Sequence, residues 1–193
     1  VAAFEPVVGA RSRQPAFYEC LVRMEQADWQ ALLAPDIVPV AERLGLIRLV
    51  DHRVLELAIA ELAASPTVRL SLNISPDTTM DPDWWASIES LMRAHPGVAE
   101  RLIVEITETV AIQDIDDVRG FVTRLKNYGS KIAIDDFGAG YTSFMYLTDL
   151  QPDVLKIDGA IVESAARHPS RLSIVQAISD LSRRIGWLRE IEA

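Results

Sequence analysis

The fold is decided by residues 131–143, whose sequence is KIAIDDFGAGYTS. The apolar run at its start is typical of a strand that is buried on both faces, as in parallel sheets. Two adjacent carboxylates, Asp135 and Asp136, follow this run, and a Gly-Ala-Gly segment comes next. Neighbouring carboxylates at the end of a buried strand repel each other and lose hydration, so they require a cation, Lys or Arg between them. The stretch therefore predicts a buried strand that ends at a cation-binding site.

Strands and helices are predicted to alternate along the rest of the chain. Strands are predicted at 3–8, 17–24, 69–75, 102–108, 132–134 and 154–160, and helices at 35–44, 49–64, 81–95, 114–128, 142–150 and 170–185. Alternation of this kind predicts parallel strands that are joined by right-handed crossovers. Five or six such units favour a barrel or an open doubly wound sheet.

Composition limits the class of protein. The chain has 193 residues, of which 49% are apolar, and this is enough for the core of one domain. No apolar run is long enough for a membrane span, and no signal-peptide pattern is present, so we expect a cytoplasmic domain without membrane contact. Its single cysteine, Cys20, excludes an internal disulfide and fits a reducing compartment. Because the chain begins at Val1, we expect it to be a piece of a longer protein.

The charge balance argues against a polymeric anionic partner. Lys and Arg number 19 and Asp and Glu number 28, which gives a net charge of −9. We therefore expect no binding of DNA, RNA or an anionic membrane. A small phosphate ligand remains compatible with an acidic site if metal ions lie between the two.

Polar side chains recur late in five of the predicted strands. They are Glu19 with Arg23, Asn73, Glu105, Asp135 with the adjacent Asp136, and Lys156 with Asp158. In a parallel barrel the carboxyl ends of the strands meet at one mouth, so these groups are expected to converge. Carboxylate and amide oxygens suit Mg²⁺ or Mn²⁺, and two ions sharing Asp135 suit attack of water on a phosphate ester. Lys156 could hold or deprotonate that water, and Arg23 could clamp a phosphate oxygen.

Each of these residues also has a purely structural interpretation. Lys156 and Asp158 could form a buried ion pair that fills a layer of the barrel. Asn73 could bond only the strand end, and Arg23 could only neutralise Glu19. Glu105 could pair with Arg69, and Glu108 could anchor a loop. The recurrence on five strands favours a site.

The residues resemble those of the EAL domain, the bacterial cyclic di-GMP phosphodiesterase module, over residues 4–186. The motifs that carry the resemblance are Glu-Ala-Leu-x-Arg as Glu19-Cys20-Leu21-Val22-Arg23, the asparagine strand at 70–75, Glu-Ile-Thr-Glu at 105–108, DDFGxGYSS at 135–143 with Thr142 for Ser, and Lys-x-Asp as Lys156-Ile157-Asp158. The resemblance implies hydrolysis of cyclic di-GMP to linear pGpG with two Mg²⁺ or Mn²⁺ ions.

The resemblance also implies roles for single residues. Those implied as ligands of one metal are Glu19, Asn73, Glu105 and Asp135, and those of the second metal are Asp135 and Asp136. Lys156 is similar to the lysine that positions the attacking water, so Lys156, Glu19 and Asp135 are the expected catalytic residues. Arg23, Leu21 and Asp158 are expected to contact substrate. Glu108 resembles the glutamate that steadies the loop 137–143, which in the family couples metal binding to dimerisation, so a homodimer is implied.

The chain departs from the family pattern in two places. Cys20 replaces Ala in the name-giving motif, with its side chain opposite to that of Glu19. After Gly186 the sequence WLREIEA stands where the family has Ala-Glu-Gly-Val-Glu, with Glu190 or Glu192 as a remnant of that motif, and a later Gln-Gly motif is absent. A complete barrel of this type has about 250 residues. We therefore expect a single domain over 1–193 with a TIM-like (β/α) barrel of EAL type, C-terminally incomplete by one or two βα units.

Three functions remain open from the sequence. The first is a cyclic di-GMP phosphodiesterase of bacterial signalling, with a sensory or GGDEF domain as the expected neighbour in the longer protein. The second is a catalytically impaired receptor for cyclic di-GMP, which the altered tail favours. The third, an interaction module that uses only its surface, leaves the polar strand ends unexplained.

Overall fold

The structure is a computed structural model that describes residues 1–9, 12–25, 31–113, 115–138, 145–186 and 188–191. The chain forms two compact units. The first comprises Val1–Val104 and Tyr128–Ser130, and the second comprises Glu105–Asn127 and Lys131–Ala193.

The first unit is built on a mixed sheet. Its strands are β1 (Ala2–Val8), β2 (Pro15–Glu25), β3 (Ala31–Leu33) and β4 (Leu70–Asn73). β2 is antiparallel to β1 and β3 and parallel to β4, with Glu19 opposite Ser71. The sequence predicted parallel pairing for all predicted strands, and this is wrong for β1; β3 was not predicted as a strand. Two strands joined by a short connection pair in antiparallel orientation. The alternation of strands and helices in the sequence does not reveal such a pair.

Four α-helices belong to the described part of the first unit. They are α1 (Ala34–Arg43), α2 (Ile47–Ala64), α3 (Pro76–Thr79) and α4 (Pro82–Ala94). Of these, α1 and α2 pack against the sheet, and α3 and α4 pack against α2. Pro35 lies in the first turn of α1, where its missing N–H is tolerated. Asp81 caps α4 by accepting a hydrogen bond from the backbone N–H of Asp83 at 2.9 Å. The strand predicted at 69–75 ends earlier, because Pro76 begins the short helix α3.

The second unit alternates strands and helices. Its elements are β5 (Leu102–Thr107, entered from the first unit), α5 (Glu108–Gln113), α6 (Ile115–Asn127), β6 (Lys131–Phe137), α7 (Met145–Leu150), β7 (Val154–Ile157), α8 (Gly159–Ala165), α9 (Pro169–Ile185) and β8 (Leu188–Ile191). β7 is parallel to both β6 and β8. This unit has the parallel βαβ arrangement that the sequence predicted.

Three boundaries in the second unit differ from those predicted. β6 continues through both aspartates to Phe137 instead of ending before them. β7 ends at Ile157, because Asp158 caps a helix that the sequence did not predict. Within the tail after Gly186, which was left unassigned from the sequence, residues Leu188–Ile191 form β8. The predicted helix residues 142–144 lie outside the described part of the chain.

Each unit has its own apolar interior. The largest buried side chains of the first unit include Trp84, Leu55, Ile59, Leu72 and Ile88, and those of the second include Ile106, Leu125, Ile134 and Phe137. Among the helices of the described residues, none combines the length and the apolar character that crossing a bilayer requires.

Candidate functional site

A β-bulge places the paired aspartates. In the β6–β7 pairing, Ile134 lies opposite Leu155 and Phe137 lies opposite Ile157. Asp135 and Asp136 together therefore oppose the single residue Lys156. Asp136 has a left-handed backbone with φ of 55°, which an aspartate tolerates better than most residues. The bulge releases the two carboxylates from the strict alternation of a regular strand, and bulges of this kind commonly re-aim side chains at active sites.

Lys156 is the buried cation of the second unit. Its side chain is 1% exposed, and its Nζ donates to Glu105 Oε2 at 2.7 Å and lies 3.3 Å from Asp135 Oδ2. Glu105 is itself fully buried, whereas the Asp135 side chain is 14% exposed. An isolated buried ammonium is very unfavourable, so these two carboxylates are required to hold it. The sequence predicted a cation between Asp135 and Asp136, whereas the structure places the Lys156 ammonium between Glu105 and Asp135.

Glu108 joins the two sides of the segment that follows β6. Its Oε2 accepts the backbone N–H of Gly138 at 2.8 Å, and its Oε1 accepts the Tyr146 hydroxyl at 3.3 Å. Burial and the nearby Glu108 carboxylate raise the pKa of Tyr146. Tyr146 therefore stays a neutral hydrogen-bond donor. The loop-anchoring role expected of Glu108 stays a prediction, because residues 139–144 of the loop lie outside the described part of the chain.

Steric constraints at position 138 also require a glycine. Its φ of +97° is left-handed, and a Cβ on it would lie 2.7 Å from Ile161 Cδ1. The close approach lets its N–H reach the buried Glu108. Glycine is thus the residue that fits at position 138, two residues after Asp136.

The first unit contributes a carboxylate–amide pair. Asn73, at the end of β4, donates through Nδ2 to Glu19 Oε1 on β2 at 2.8 Å. An amide that gives its N–H₂ to a carboxylate turns its oxygen away from that carboxylate. Arg23 is half-buried and donates to the backbone oxygen of Val22 at 3.1 Å. Leu21 is half-buried on the same strand.

Asp158 has a structural function. Its Oδ1 accepts the backbone N–H of Ile161 at 3.1 Å and so caps α8. The ion-pair interpretation of Lys156 with Asp158 is replaced by the pairing of Lys156 with Glu105 and Asp135. The substrate role expected for Asp158 stays a prediction.

Cys20 is a small buried side chain. It is 3% exposed on β2. Burial, together with the charge of Glu19, raises the pKa of its thiol to about 11. The thiol is therefore uncharged at neutral pH and has the character of a small apolar side chain.

The donors for a metal occur in pairs. Within the described ranges, no group of three or more His, Cys, Asp or Glu side chains is gathered closely enough to hold a metal ion. Glu19 and Asn73 pair in the first unit, and Glu105 and Asp135 converge on one ammonium in the second. Carboxylate and amide oxygens are the donors that Mg²⁺ and Mn²⁺ prefer. The oxygen donors of these four residues are thus of the chemical type that binds a hard divalent cation.

The tail residues are placed only in part. Glu190, in β8, takes the register position opposite Lys156. Glu192 lies outside the described residues. Tyr146, the partner of Glu108, was missed from the sequence, because a tyrosine on a short helix carries no pattern that points to a buried carboxylate on another element.

Comparisons with known proteins place the chain in a family. A model of the EAL domain family matches residues 1–189. Cyclic di-GMP phosphodiesterase PdeF of Escherichia coli (strain K12) is 30% identical over 184 residues, which are 93% of this chain and 24% of that protein. Cyclic di-GMP phosphodiesterase PA2567 of Pseudomonas aeruginosa is 28% identical over 188 residues, which are 95% of this chain and 32% of that protein. The chain therefore spans about a quarter to a third of the length of these relatives.

Solved structures agree with the sequence comparison. The PaMucR phosphodiesterase in complex with c-di-GMP is 28% identical, with a TM-score of 0.92 over 100% of this chain and 80% of that chain. The FimX EAL domain of Pseudomonas aeruginosa bound to c-di-GMP has a TM-score of 0.89 at 22% identity, over 98% of this chain and 78% of that chain, which shows the fold alone. The chain belongs to the EAL domain family and has its α/β, TIM-like barrel fold.

Proposed function

We propose that this chain is a metal-dependent phosphodiesterase that hydrolyses cyclic di-GMP to linear pGpG. The observation that carries the proposal is the Lys156 ammonium, buried between Glu105 and Asp135 at a β-bulge. A layer that only filled a core would be served as well by apolar side chains of similar volume. Two relatives at about 30% identity are named cyclic di-GMP phosphodiesterases, which supports this substrate class.

The proposed metal ligands follow the motifs of the family. They are Glu19, Asn73, Glu105 and Asp135 for one ion, and Asp135 and Asp136 for the other. When bound, Mg²⁺ or Mn²⁺ would supply positive charge beside the phosphoryl group and lower the pKa of water. The donor pairs within each unit support this assignment, because hydrogen bonding already orients each carboxylate.

The chain's own residues would orient the reactants. Lys156 would donate an N–H to the attacking water, and Arg23 would hold a phosphate oxygen. Leu21 and Asp158 would contact the substrate. Water adds its oxygen to one phosphorus, the bond from that phosphorus to the ribose O3′ breaks, and the O3′ receives a proton. One water is consumed per phosphodiester, and the product is linear pGpG.

The setting of the domain is part of the proposal. We propose a homodimer, with Glu108 holding the flanks of the loop that follows β6, in a cytoplasmic domain beside a sensory or GGDEF domain. The contacts of Glu108 with Gly138 and Tyr146 support the loop-anchoring role. Light scattering with and without Mn²⁺ tests the dimer.

Product chromatography tests the activity. The chain is incubated with cyclic di-GMP and Mg²⁺ or Mn²⁺, and we expect pGpG to accumulate. Asp135→Asn should lower the rate at least a thousandfold. Asp153→Asn is the matched control, because Asp153 accepts the Ile132 N–H at 3.0 Å near the start of the same strand. Its rate should stay within about threefold of wild type, and equal losses in the two variants would contradict the assignment.

A receptor for cyclic di-GMP is the second candidate. The sequence WLREIEA at 187–193, which replaces the glutamate-bearing motif of the family, favours it. Calorimetric binding of cyclic di-GMP without any pGpG over many hours in Mn²⁺ would select the receptor over the enzyme.

A further inference from the structure

An acidic residue interrupts the apolar stripe of α2. The buried residues of this helix are Ile47, Asp51, Val54, Leu55, Ala58, Ile59 and Leu62. Asp51 is only 6% exposed. Burying a carboxylate is unfavourable unless hydrogen bonds compensate, so the partners of Asp51 indicate why it is there.

All hydrogen bonds described for Asp51 go to one short segment. Its Oδ2 accepts the backbone N–H of Ser75 at 2.9 Å, the Ser75 hydroxyl at 2.7 Å and the Thr78 hydroxyl at 2.6 Å. Ser75 is the residue before α3, but its side chain makes no capping bond to that helix. Pro76, the next residue, has no N–H to offer. Asp51 of α2 therefore binds the turn after β4, in addition to the turn's own hydrogen bond from the Thr78 N–H to the Ser75 oxygen at 3.1 Å.

This turn follows directly on a residue of the candidate site. Asn73 is the last residue of β4, two positions before Ser75. Asn73 is exposed, and its Nδ2 donates to Glu19 at 2.8 Å. An exposed amide has many rotamers, so the backbone at the strand end must be fixed if the amide oxygen is to point consistently away from Glu19.

We propose that Asp51 is a positioning residue, which acts through Ser75 and Thr78 to hold Asn73 against Glu19 with its amide oxygen presented to a divalent cation. The inference rests on the proposed function, because Asn73 and Glu19 are metal ligands only within it. Asp51 touches neither of them, so its effect on the metal is indirect.

The experiment compares variants that disturb the turn after β4 with a control variant that disturbs the segment before β4. Asp51→Ala removes the acceptor, Asp51→Asn keeps one acceptor oxygen, and Thr78→Val removes one donor without changing the side-chain shape. The matched control is Arg101→Met. Arg101 donates to the backbone oxygens of Leu62, Ser65 and Val68, so it ties the end of α2 to the segment that precedes β4.

The first readout is the side-chain amide signal of Asn73 in ¹⁵N NMR, recorded in EDTA and assigned by its loss in Asn73→Ala. We expect Asp51→Ala to shift or broaden this signal, and Asp51→Asn to return it close to the wild-type position. Thr78→Val should have an intermediate effect. Arg101→Met should lower the melting temperature but leave the signal within its line width. An unmoved Asn73 signal in both Asp51→Ala and Thr78→Val would overturn the proposal.

The second readout is calorimetric binding of Mn²⁺ alone. We expect Asp51→Ala to weaken the affinity at least tenfold, Asp51→Asn less than threefold, and Arg101→Met less than twofold. An unchanged affinity in Asp51→Ala would overturn the positioning role toward the metal. If wild type binds no Mn²⁺ and yields no pGpG, the proposed function fails, and the claim that Asp51 presents a metal ligand fails with it. The Asn73 signal then still decides whether Asp51 orients that amide.

Discussion

At the scale of single residues, Lys156 contributes both to the stability of the fold and to the proposed site. Two carboxylates that are expected to bind a metal already share its ammonium, at 2.7 Å and 3.3 Å. A divalent cation bound at these carboxylates would be coupled electrostatically to Lys156, because both are attracted to Glu105 and Asp135. Removal of the lysine should change both the stability of the fold and its response to metal.

Lys156→Met tests this coupling. In EDTA we expect a loss of about 3 kcal/mol in the free energy of unfolding, because two largely buried carboxylates lose their cation. Saturating Mn²⁺ should reduce the difference in free energy of unfolding between Lys156→Met and wild type, since the ion can then replace the ammonium. Urea unfolding with and without Mn²⁺ measures both effects.

Lys126→Met is the matched control for that experiment. Lys126 donates to the backbone oxygens of Leu150 and Gln151, away from the carboxylates. Its gap to wild type should be the same with and without Mn²⁺. A gap for Lys156→Met that Mn²⁺ leaves unchanged would contradict the coupling.

Asp51 gives the molecule a pH dependence of stability. Burial raises its pKa from the ordinary value of 3.8, although hydrogen bonds from Thr78 and Ser75 and the nearby His52 oppose the rise. The folded state therefore holds the proton more tightly than the unfolded state. The stability that protonated Asp51 contributes is fully present below pH 3.8, the ordinary pKa of the side chain. It is lost as the pH rises through the higher pKa of the folded state.

Asp51→Asn removes this titration. The stability advantage of wild type over Asp51→Asn should thus be largest near pH 4 and should shrink as pH rises. Urea unfolding of both proteins from pH 4 to pH 8 measures the difference. A difference that grows with pH would show that the folded-state pKa of Asp51 is lowered instead.

Residue partners were the least predictable part of the site. The sequence pointed to Lys156 and to Glu105, but it offered Asp158 and Arg69 as their ion-pair partners. The actual pairing depends on the extra residue in β6, which brings both aspartates opposite Lys156. Asp51 did leave a signal, as the one acid on an otherwise apolar stripe, but only its contacts reveal what it holds.

At the scale of elements, the junction after β6 combines a bulge, a left-handed glycine and a buried anchor. Gly138 is held by Glu108 and lies against Ile161 of α8. Because Asp136 lies only two residues before this glycine, we expect the backbone geometry of Gly138 to affect how the two aspartates are oriented.

Gly138→Ala tests the junction. A left-handed alanine costs about 1–2 kcal/mol, and contact with Ile161 Cδ1 adds to this. We expect a larger loss of stability than in Gly97→Ala, where φ is +84° and nothing lies within 4 Å. Thermal unfolding measures both, and kcat for cyclic di-GMP should fall at least tenfold only in Gly138→Ala.

Ile161→Val isolates the contact within that prediction. Removing Cδ1 should make the Gly138→Ala loss smaller in a double-mutant cycle. If the loss is unchanged on the valine background, steric approach to α8 is not what requires glycine at this position.

Element types were predicted better than element ends. The strands of Glu19, Asn73, Glu105 and Lys156 were predicted, and so was the start of β6 before Asp135, because each has a short apolar run or an apolar–polar alternation bounded by turn residues. Their ends were missed where a local interaction decides them, as at Pro76 and at the Asp158 cap. The antiparallel partners of β2 were missed, because pairing direction depends on connections between elements.

At the scale of the whole molecule, motif spacing predicted the family and the fold before any geometry was known. Both are confirmed by the family match over residues 1–189 and by the likeness to PaMucR. The chain spans 24% of PdeF and 32% of PA2567. Most of the length of each of these relatives therefore lies outside the region that matches this chain. What this chain does with cyclic di-GMP is therefore a question for direct measurement.

The most direct measurement is hydrolysis of cyclic di-GMP in water enriched with ¹⁸O, with Mn²⁺ present and the product analysed by mass spectrometry. The account predicts pGpG that carries one ¹⁸O in its newly formed 5′-phosphate, no product in EDTA, and at least a thousandfold slower formation in Lys156→Met. Cyclic di-GMP that is bound by the wild-type chain but recovered intact and unlabelled would contradict the account.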